Sequence, residues 1–139
     1  MTMDDEIRIV RTFHDALNAK DVAGVLALAT EDIRVGGPRG TGEGKHLLEE
    51  WVNHASITME PQRWFHMDGT VVVEQIARWH DPGTGEETSS QRLATTFGIR
   101  DGRIASIARY GDIGEAVTSA GMDESNAVTI DDQPGEDET

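Results

Sequence analysis

Residues 93–121 read LATTFGIRDGRIASIARYGDIGEAVTSAG, and this stretch decides the fold. Alternating patterns lie on both sides of Asp101-Gly102, a dipeptide that favours a tight turn, so the sequence predicts a β-hairpin. After the hairpin, GDIGEAV places Asp112 ahead of an apolar helical pattern, as a residue that caps a helix would be. The stretch therefore predicts two neighbouring strands followed by a terminal helix.

Upstream of the hairpin, the hydrophobic spacing predicts helix, helix, strand and helix before four strands. Apolar residues recur at helical spacing from Ile7 to Leu17, Asp21 begins a second helix, and a third is expected over about 44–55. A short strand is expected at Ile33 and Val35, and extended segments near 57–67, 70–80, 88–100 and 103–110. The predicted fold is α+β, a cone-shaped barrel whose curved antiparallel or mixed sheet wraps around three N-terminal helices. The glycine-rich GGPRGTGEG, residues 36–44, is expected to be a flexible loop at the rim.

The composition limits the classes of function. The 139 residues carry 26 acidic and 12 basic side chains, a formal net charge of −14, so nucleic acid and membrane surfaces are not expected as partners. There is no cysteine, which excludes disulfides and thiolate chemistry. The sequence MTMDDEIRIV lacks the basic and apolar regions of a signal peptide, so we expect a cytoplasmic protein.

The acidic residues are concentrated at the C-terminus. Residues 123–139 hold seven acids and no lysine or arginine, a composition that favours a flexible, solvated tail. The expected division is a folded domain over 1–122 and this tail over 123–139. A strand or lid formed by Ala127 to Ile130 is the alternative.

Two stretches carry a family resemblance: FHDALNAKDVAGVLALATEDIRV, residues 13–35, and DGRIASIARYGDIGEAVTSAG, residues 101–121. In their order and spacing they resemble the SnoaL-like branch of the NTF2-like superfamily, over about residues 5–122. The resemblance implies a pocket for a small-molecule ligand or substrate. It also implies a homodimer formed through the outer sheet face, where Glu74, Arg78 and His80 are available.

The known chemistries of that superfamily do not carry over to this sequence. Its members include steroid isomerases, epoxide hydrolases, polyketide cyclases and proteins that only bind. The positions aligned with the steroid isomerase groups hold Phe13, Thr95 and Gly37, and those aligned with the epoxide hydrolase groups hold Arg109, Gln75 and Ala77. Neither catalytic set is intact. The acid/base aspartate of the cyclases falls near Arg109, with Asp112 three residues away.

Strand alternation predicts which side chains face the pocket. Arg109 is the candidate charge stabiliser, with His14 or Asp112 as the proton carrier. The predicted ligand-binding residues are Phe13, Gln75, Trp79, Gln91, Thr95, Phe97 and Tyr110. Two alternatives stay open: Arg109 is structural if Asp112 or Asp32 pairs with it, and His14 is a core histidine if its hydrogen bonds are satisfied.

No cofactor and no metal is expected. His46, Glu50 and His54 have the spacing of metal ligands on a helix, but they lie opposite its apolar face, which favours a solvated surface.

Two functions remain. One is a cofactor-free isomerase, cyclase or lyase that acts by proton transfer on a small apolar carbonyl or hydroxyl compound, and the other is a non-catalytic ligand-binding or dimeric scaffold domain.

Overall fold

The computed structural model describes residues 2–37 and 40–129, and its elements follow the predicted order. The helices are α1 (Met3–Asn18), α2 (Val22–Ala27), α3 (Lys45–His54), α4 (Ile113–Ser119) and a 3₁₀ turn over Glu124–Asn126. The strands are β1 (Ala29–Gly37), β2 (Gly40–Glu43), β3 (Ile57–Met67), β4 (Thr70–His80), β5 (Glu87–Arg100), β6 (Arg103–Tyr110) and β7 (Ala127–Val128). The α+β prediction is confirmed.

All seven strands form one curved mixed sheet in the order β2-β1-β6-β5-β4-β3-β7. Only β1 and β6 pair in parallel, and the other neighbours are antiparallel. The β5–β6 turn has positive φ at both Asp101 (53°) and Gly102 (80°), as a tight hairpin turn of the primed type requires. This hairpin places β6 beside β5, and the other edge of β6 pairs in parallel with β1.

The sheet has an inner face covered by α1, α2 and α3, and an outer face partly covered by α4. The inner cluster includes Val10 and Leu17 of α1 together with Val73 and Phe97 of the sheet. The outer cluster consists of Phe65, Val72, Ala94, Ala116, Val117 and Met122. The register shifts in β4 and β5 lie near the strand ends, at Trp79/His80 and Gly98/Ile99, so the central residues keep the predicted alternation.

The glycine-rich segment differs from its prediction. It was expected to be a loop, but Gly40–Glu43 forms β2 and pairs with β1 from Arg34 to Gly37. Glycine backbones make ladder hydrogen bonds without apolar alternation, so hydropathy gave no signal for this strand. Residues 38 and 39 lie outside the described residues.

The first part of the acidic segment lies against the sheet edge. Arg63 donates to Glu124 at 3.0 Å, and the Asn126 amide donates to the backbone carbonyl of His66 at 3.1 Å. Ala127 and Val128 pair with β3. Residues 130–139 lie outside the described residues, so the division between domain and tail stays a prediction.

Within residues 2–37 and 40–129, no helix combines the length and apolar character needed to cross a bilayer. The cytoplasmic location stays a prediction.

Candidate functional site

A cavity of about 450 Å³ lies between the inner face of the sheet and the helices. Its walls come from α1, α3 and six of the strands, β1 to β6. They are formed by Phe13, Val35, Gly36, Gly40, Leu48, Trp51, Met59, Gln75, Thr95, Phe97, Ile107 and Arg109. Apolar and aromatic walls with a few polar groups, and a volume of several hundred Å³, are typical of small-molecule sites.

The polar lining side chains lie on three adjacent strands. Thr95 on β5 is directly opposite Arg109 on β6, a position that brings their Cβ atoms to roughly 5 Å. Gln75 on β4 is diagonal to Thr95, because Val73 is the direct partner of Thr95 and Gln75 pairs with Leu93. The sheet thus holds the polar groups of the cavity in one row.

The guanidinium of Arg109 has no ion-pair or hydrogen-bond partner among residues 2–37 and 40–129. Asp32 accepts instead from Arg100 at 2.8 Å, and this bond lowers the pKa of Asp32. Asp112 accepts from the backbone N–H of Glu115 at 3.3 Å and caps α4. Neither candidate carboxylate therefore neutralises Arg109, which is only partly buried.

His14 lies behind the cavity wall and is 2% exposed. Its Nδ1 donates to the carbonyl of Val10 at 2.8 Å, and its Nε2 lies 2.8 Å from Nε2 of Gln75. Burial lowers the pKa of His14 from 6.5 to about 4, so the ring is neutral at physiological pH. Both ring nitrogens are engaged within the protein.

Gln75 joins this histidine to the cavity. Its side chain is fully buried, and its Oε1 accepts from the hydroxyl of Thr95 at 2.8 Å. The result is a continuous hydrogen-bonded row from the backbone of α1 through His14 and Gln75 to Thr95.

The family model of the SnoaL-like domain matches residues 10–107, which are 98 of the 139 residues. The chain belongs to the SnoaL-like domain family. No curated protein matches the sequence of this SnoaL-like chain.

Solved structures support the same fold. An NTF2-like protein of unknown function from Cytophaga hutchinsonii aligns with a TM-score of 0.65 at 18% identity, over 78% of this chain and 90% of that one. A proposed polyketide cyclase from Sinorhizobium meliloti aligns with a TM-score of 0.63 at 23% identity, over 73% and 93%. TerC, crystallised with polyporic acid, aligns with a TM-score of 0.68 at 16% identity, over 81% and 95%. At these identities the likeness shows the fold alone.

Half of the residues predicted for the site of this SnoaL-like protein line the cavity. They are Phe13, Gln75, Thr95, Phe97 and Arg109. All five were predicted from helical spacing or strand alternation.

The other five predicted residues do not line the cavity and need correction. Tyr110 follows Arg109 on β6, so it points to the outer face and packs against the cluster at α4. Gln91 is exposed on β5, and Trp79 packs against the core near the end of β4, so both lie past the cavity. His14 is separated from the cavity by Gln75, and Asp112 is a helix cap.

Sequence reasoning did not identify several wall residues. Leu48 and Trp51 were assigned to the apolar face of the third helix but not to a pocket, and that face was the available signal. Val35, Gly36, Gly40 and Met59 reach the cavity through the curvature of the sheet edges, which no local pattern records.

The third helix shows no metal site. Nδ1 of His54 donates to the carbonyl of Glu50 at 2.8 Å. No group of three or more potential metal-binding side chains occurs in the part of the chain that the structure describes.

Proposed function

We propose that this SnoaL-like protein binds a small, largely apolar organic anion in its cavity, with Arg109 as the anchor. The observation that carries the proposal is the guanidinium of Arg109 at an apolar wall, which has no partner within residues 2–37 and 40–129 because Asp32 and Asp112 both bind elsewhere. Arg109 is partly buried, so few water molecules reach its guanidinium, and a carboxylate, phenolate or enolate in the cavity would supply a partner through charge-assisted hydrogen bonds.

The walls favour a flat apolar body for this ligand. Phe13 and Phe97 pack edge to face with ring centroids 5.3 Å apart, and Trp51 lines the cavity from α3. Aromatic walls of this kind contact ring systems well. The co-crystal of TerC with polyporic acid and the proposed cyclase of Sinorhizobium meliloti are consistent with a small organic ligand here.

The same site favours binding over proton transfer. Arg109 could stabilise an enolate as it forms. However, of the lining residues in the described part of the chain, Arg109 is the only ionisable one, and the candidate proton carriers His14 and Asp112 lie outside the lining. The cofactor-free isomerase, cyclase or lyase therefore remains the second proposal, in which the substrate or solvent would supply the proton carrier.

Calorimetric titration with 2-naphthoate tests the anchor. Replacement of Arg109 by Ala is expected to weaken binding by about 10- to 100-fold, the equivalent of one charged hydrogen-bonded contact of about 1.5–3 kcal/mol. The neutral 2-naphthamide is expected to bind the unchanged protein weakly, because it lacks the charge.

Arg103→Ala is the matched control, since Arg103 is an exposed arginine of the same strand. It should bind 2-naphthoate as the unchanged protein does. Equal losses of affinity in the two variants, or equal binding of the acid and the amide, would show that Arg109 does not bind the ligand.

A further inference from the structure

The hydrogen-bonded row behind the cavity has a fixed direction. Nδ1 of His14 faces the carbonyl of Val10, which can only accept, so the proton of the neutral ring is on Nδ1. Nε2 then carries a bare lone pair and needs a donor.

That requirement sets the orientation of Gln75. Its amide nitrogen, not its oxygen, must face Nε2 of His14, as it does at 2.8 Å. The amide oxygen consequently faces Thr95, and the hydroxyl hydrogen of Thr95 is used in the 2.8 Å bond to that oxygen.

Thr95 therefore presents only lone pairs to the cavity. Its side chain is 4% exposed, and Arg109 lies directly opposite it on β6. The cavity wall thus places a hydrogen-bond acceptor, Oγ1 of Thr95, next to the donors of Arg109.

From this polarity we propose a substrate class: an organic anion that also carries a hydroxyl group, such as a hydroxy acid or a hydroxylated enol. The anionic group binds Arg109, and the hydroxyl donates its hydrogen to Oγ1 of Thr95. A cationic donor is disfavoured at this position by the neighbouring guanidinium. The inference rests on the proposed function, because it assigns a second contact to a ligand that Arg109 anchors.

The hydroxyl group of the ligand is expected to contribute the binding free energy of one buried hydrogen bond between neutral groups. A ligand without this group leaves the acceptor of Thr95 without a donor and out of reach of bulk water, at a cost of about 1 kcal/mol. We therefore expect a preference of about three- to tenfold for the hydroxylated ligand.

The test compares 2-naphthoate with its ring-hydroxylated isomers and with the methyl ether of the isomer that binds best. The unchanged protein is expected to bind at least one hydroxy isomer three- to tenfold more tightly than both 2-naphthoate and the ether. The ether keeps the oxygen but has no hydrogen to donate, so it isolates the direction of the bond.

Two substitutions at the same position complete the experiment. Thr95→Val keeps the shape but removes both the acceptor and the hydroxyl that donates to Gln75, and it is expected to lose the preference while 2-naphthoate still binds. Thr95→Ser keeps the hydroxyl and should retain the preference. The thermal midpoint of each variant shows whether it is folded. If a variant does not fold, the comparison of the three ligands on the unchanged protein still tests the proposal.

The outcomes separate this inference from the proposed function. If all the acids and the ether bind equally and Arg109→Ala weakens them all, the hydroxyl contact is refuted and the anion site stands. A preference that persists in Thr95→Val also refutes the contact. If no acid binds the unchanged protein, both proposals fail.

Discussion

At the level of single residues, His14 was predicted to carry a proton, but it supports the cavity wall by holding the side chain of Gln75 in place. His14 has the side chain of a general base, but its position behind Gln75 and its two protein hydrogen bonds leave it no route to a ligand. Its neutral state matters, because a protonated ring would place an N–H against the N–H of Gln75. The core-histidine alternative is thus the arrangement found.

The depressed pKa of His14 predicts acid sensitivity. Its pKa is about 4 in the fold against 6.5 for an ordinary histidine, so between these values the unfolded chain binds a proton that the native protein does not. The free energy of unfolding is therefore unaffected by His14 above pH 6.5, where the ring is neutral in both states. It decreases by about 3 kcal/mol as the pH falls from 6.5 to 4. Denaturant unfolding from pH 7 to 4 should therefore show a smaller loss of stability in His14→Gln than in the unchanged protein.

His46→Gln provides the control, since His46 is exposed on α3. It should keep the pH dependence of the unchanged protein. If His14→Gln also keeps that dependence, His14 is not the residue whose protonation destabilises the fold.

At the scale of elements, strand and helix positions were largely predictable, and the exceptions have physical causes. The long strands were placed within one or two residues because their alternation continues between clear turn signals. The strand Gly40–Glu43 was missed because a glycine-rich strand has no alternation to read. Asp112 was assigned as both a helix start and a candidate acid, and the structure uses it as the start of α4.

The cap assignment of Asp112 is testable. Asp112→Ala is expected to lower stability by about 1 kcal/mol, or about 3 °C in thermal midpoint, because the N–H of Glu115 loses its acceptor. Asp112→Asn retains an acceptor and should cost little. Binding of 2-naphthoate should be unchanged in both variants, and a loss of binding in Asp112→Asn would instead support a role for the carboxylate in the site.

At the scale of the whole molecule, the C-terminal segment and the outer sheet face remain to be tested. Residues 123–128 contact β3 through the Arg63–Glu124 pair, the Asn126 amide and the β7 ladder. The outer-face residues expected to join two copies have partners within one chain. Arg92 lies 3.6 Å from Glu74, Arg78 donates to Glu60 at 2.7 Å, and His80 lies 3.0 Å from the Thr58 hydroxyl.

Two truncations locate the end of the folded domain. Truncation after Met122 is expected to lower the thermal midpoint by several degrees, since it removes the contacts to β3. Truncation after Thr129 should leave the midpoint nearly unchanged, because it removes mostly acidic and polar residues, with Ile130 as the one large apolar side chain. Equal midpoints for both truncated proteins and the full chain would place the domain boundary at residue 122.

Homodimerisation is a proposal that rests on the family resemblance. One chain has a mass of 15.2 kDa, and sedimentation equilibrium of the full chain is expected to give twice that mass. Ile76→Glu, a partly buried position in the middle of the outer face, should shift the protein to a monomer, while Ile9→Glu on α1 tests for a general loss of folding. A monomer at all concentrations would refute the proposal.

The fold class, the order of the elements and the inward or outward direction of side chains on the central strands could be predicted from the sequence. These follow from local periodicity, which is set by the geometry of a helix or a strand. It therefore placed Phe13, Gln75, Thr95, Phe97 and Arg109 correctly on the inner face.

The position of the cavity along each element, and the pairing of the polar groups around it, depend on the tertiary structure. Periodicity gives the face of a residue but not its depth, so Trp79 and Gln91 were included although they lie past the cavity. Pairing depends on residues distant in sequence: Asp32 binds Arg100, and His14 binds Gln75, 61 positions away. In the described part of the chain, Arg109 is left without a partner and Thr95 with an unused acceptor because the fold pairs their neighbours with other residues.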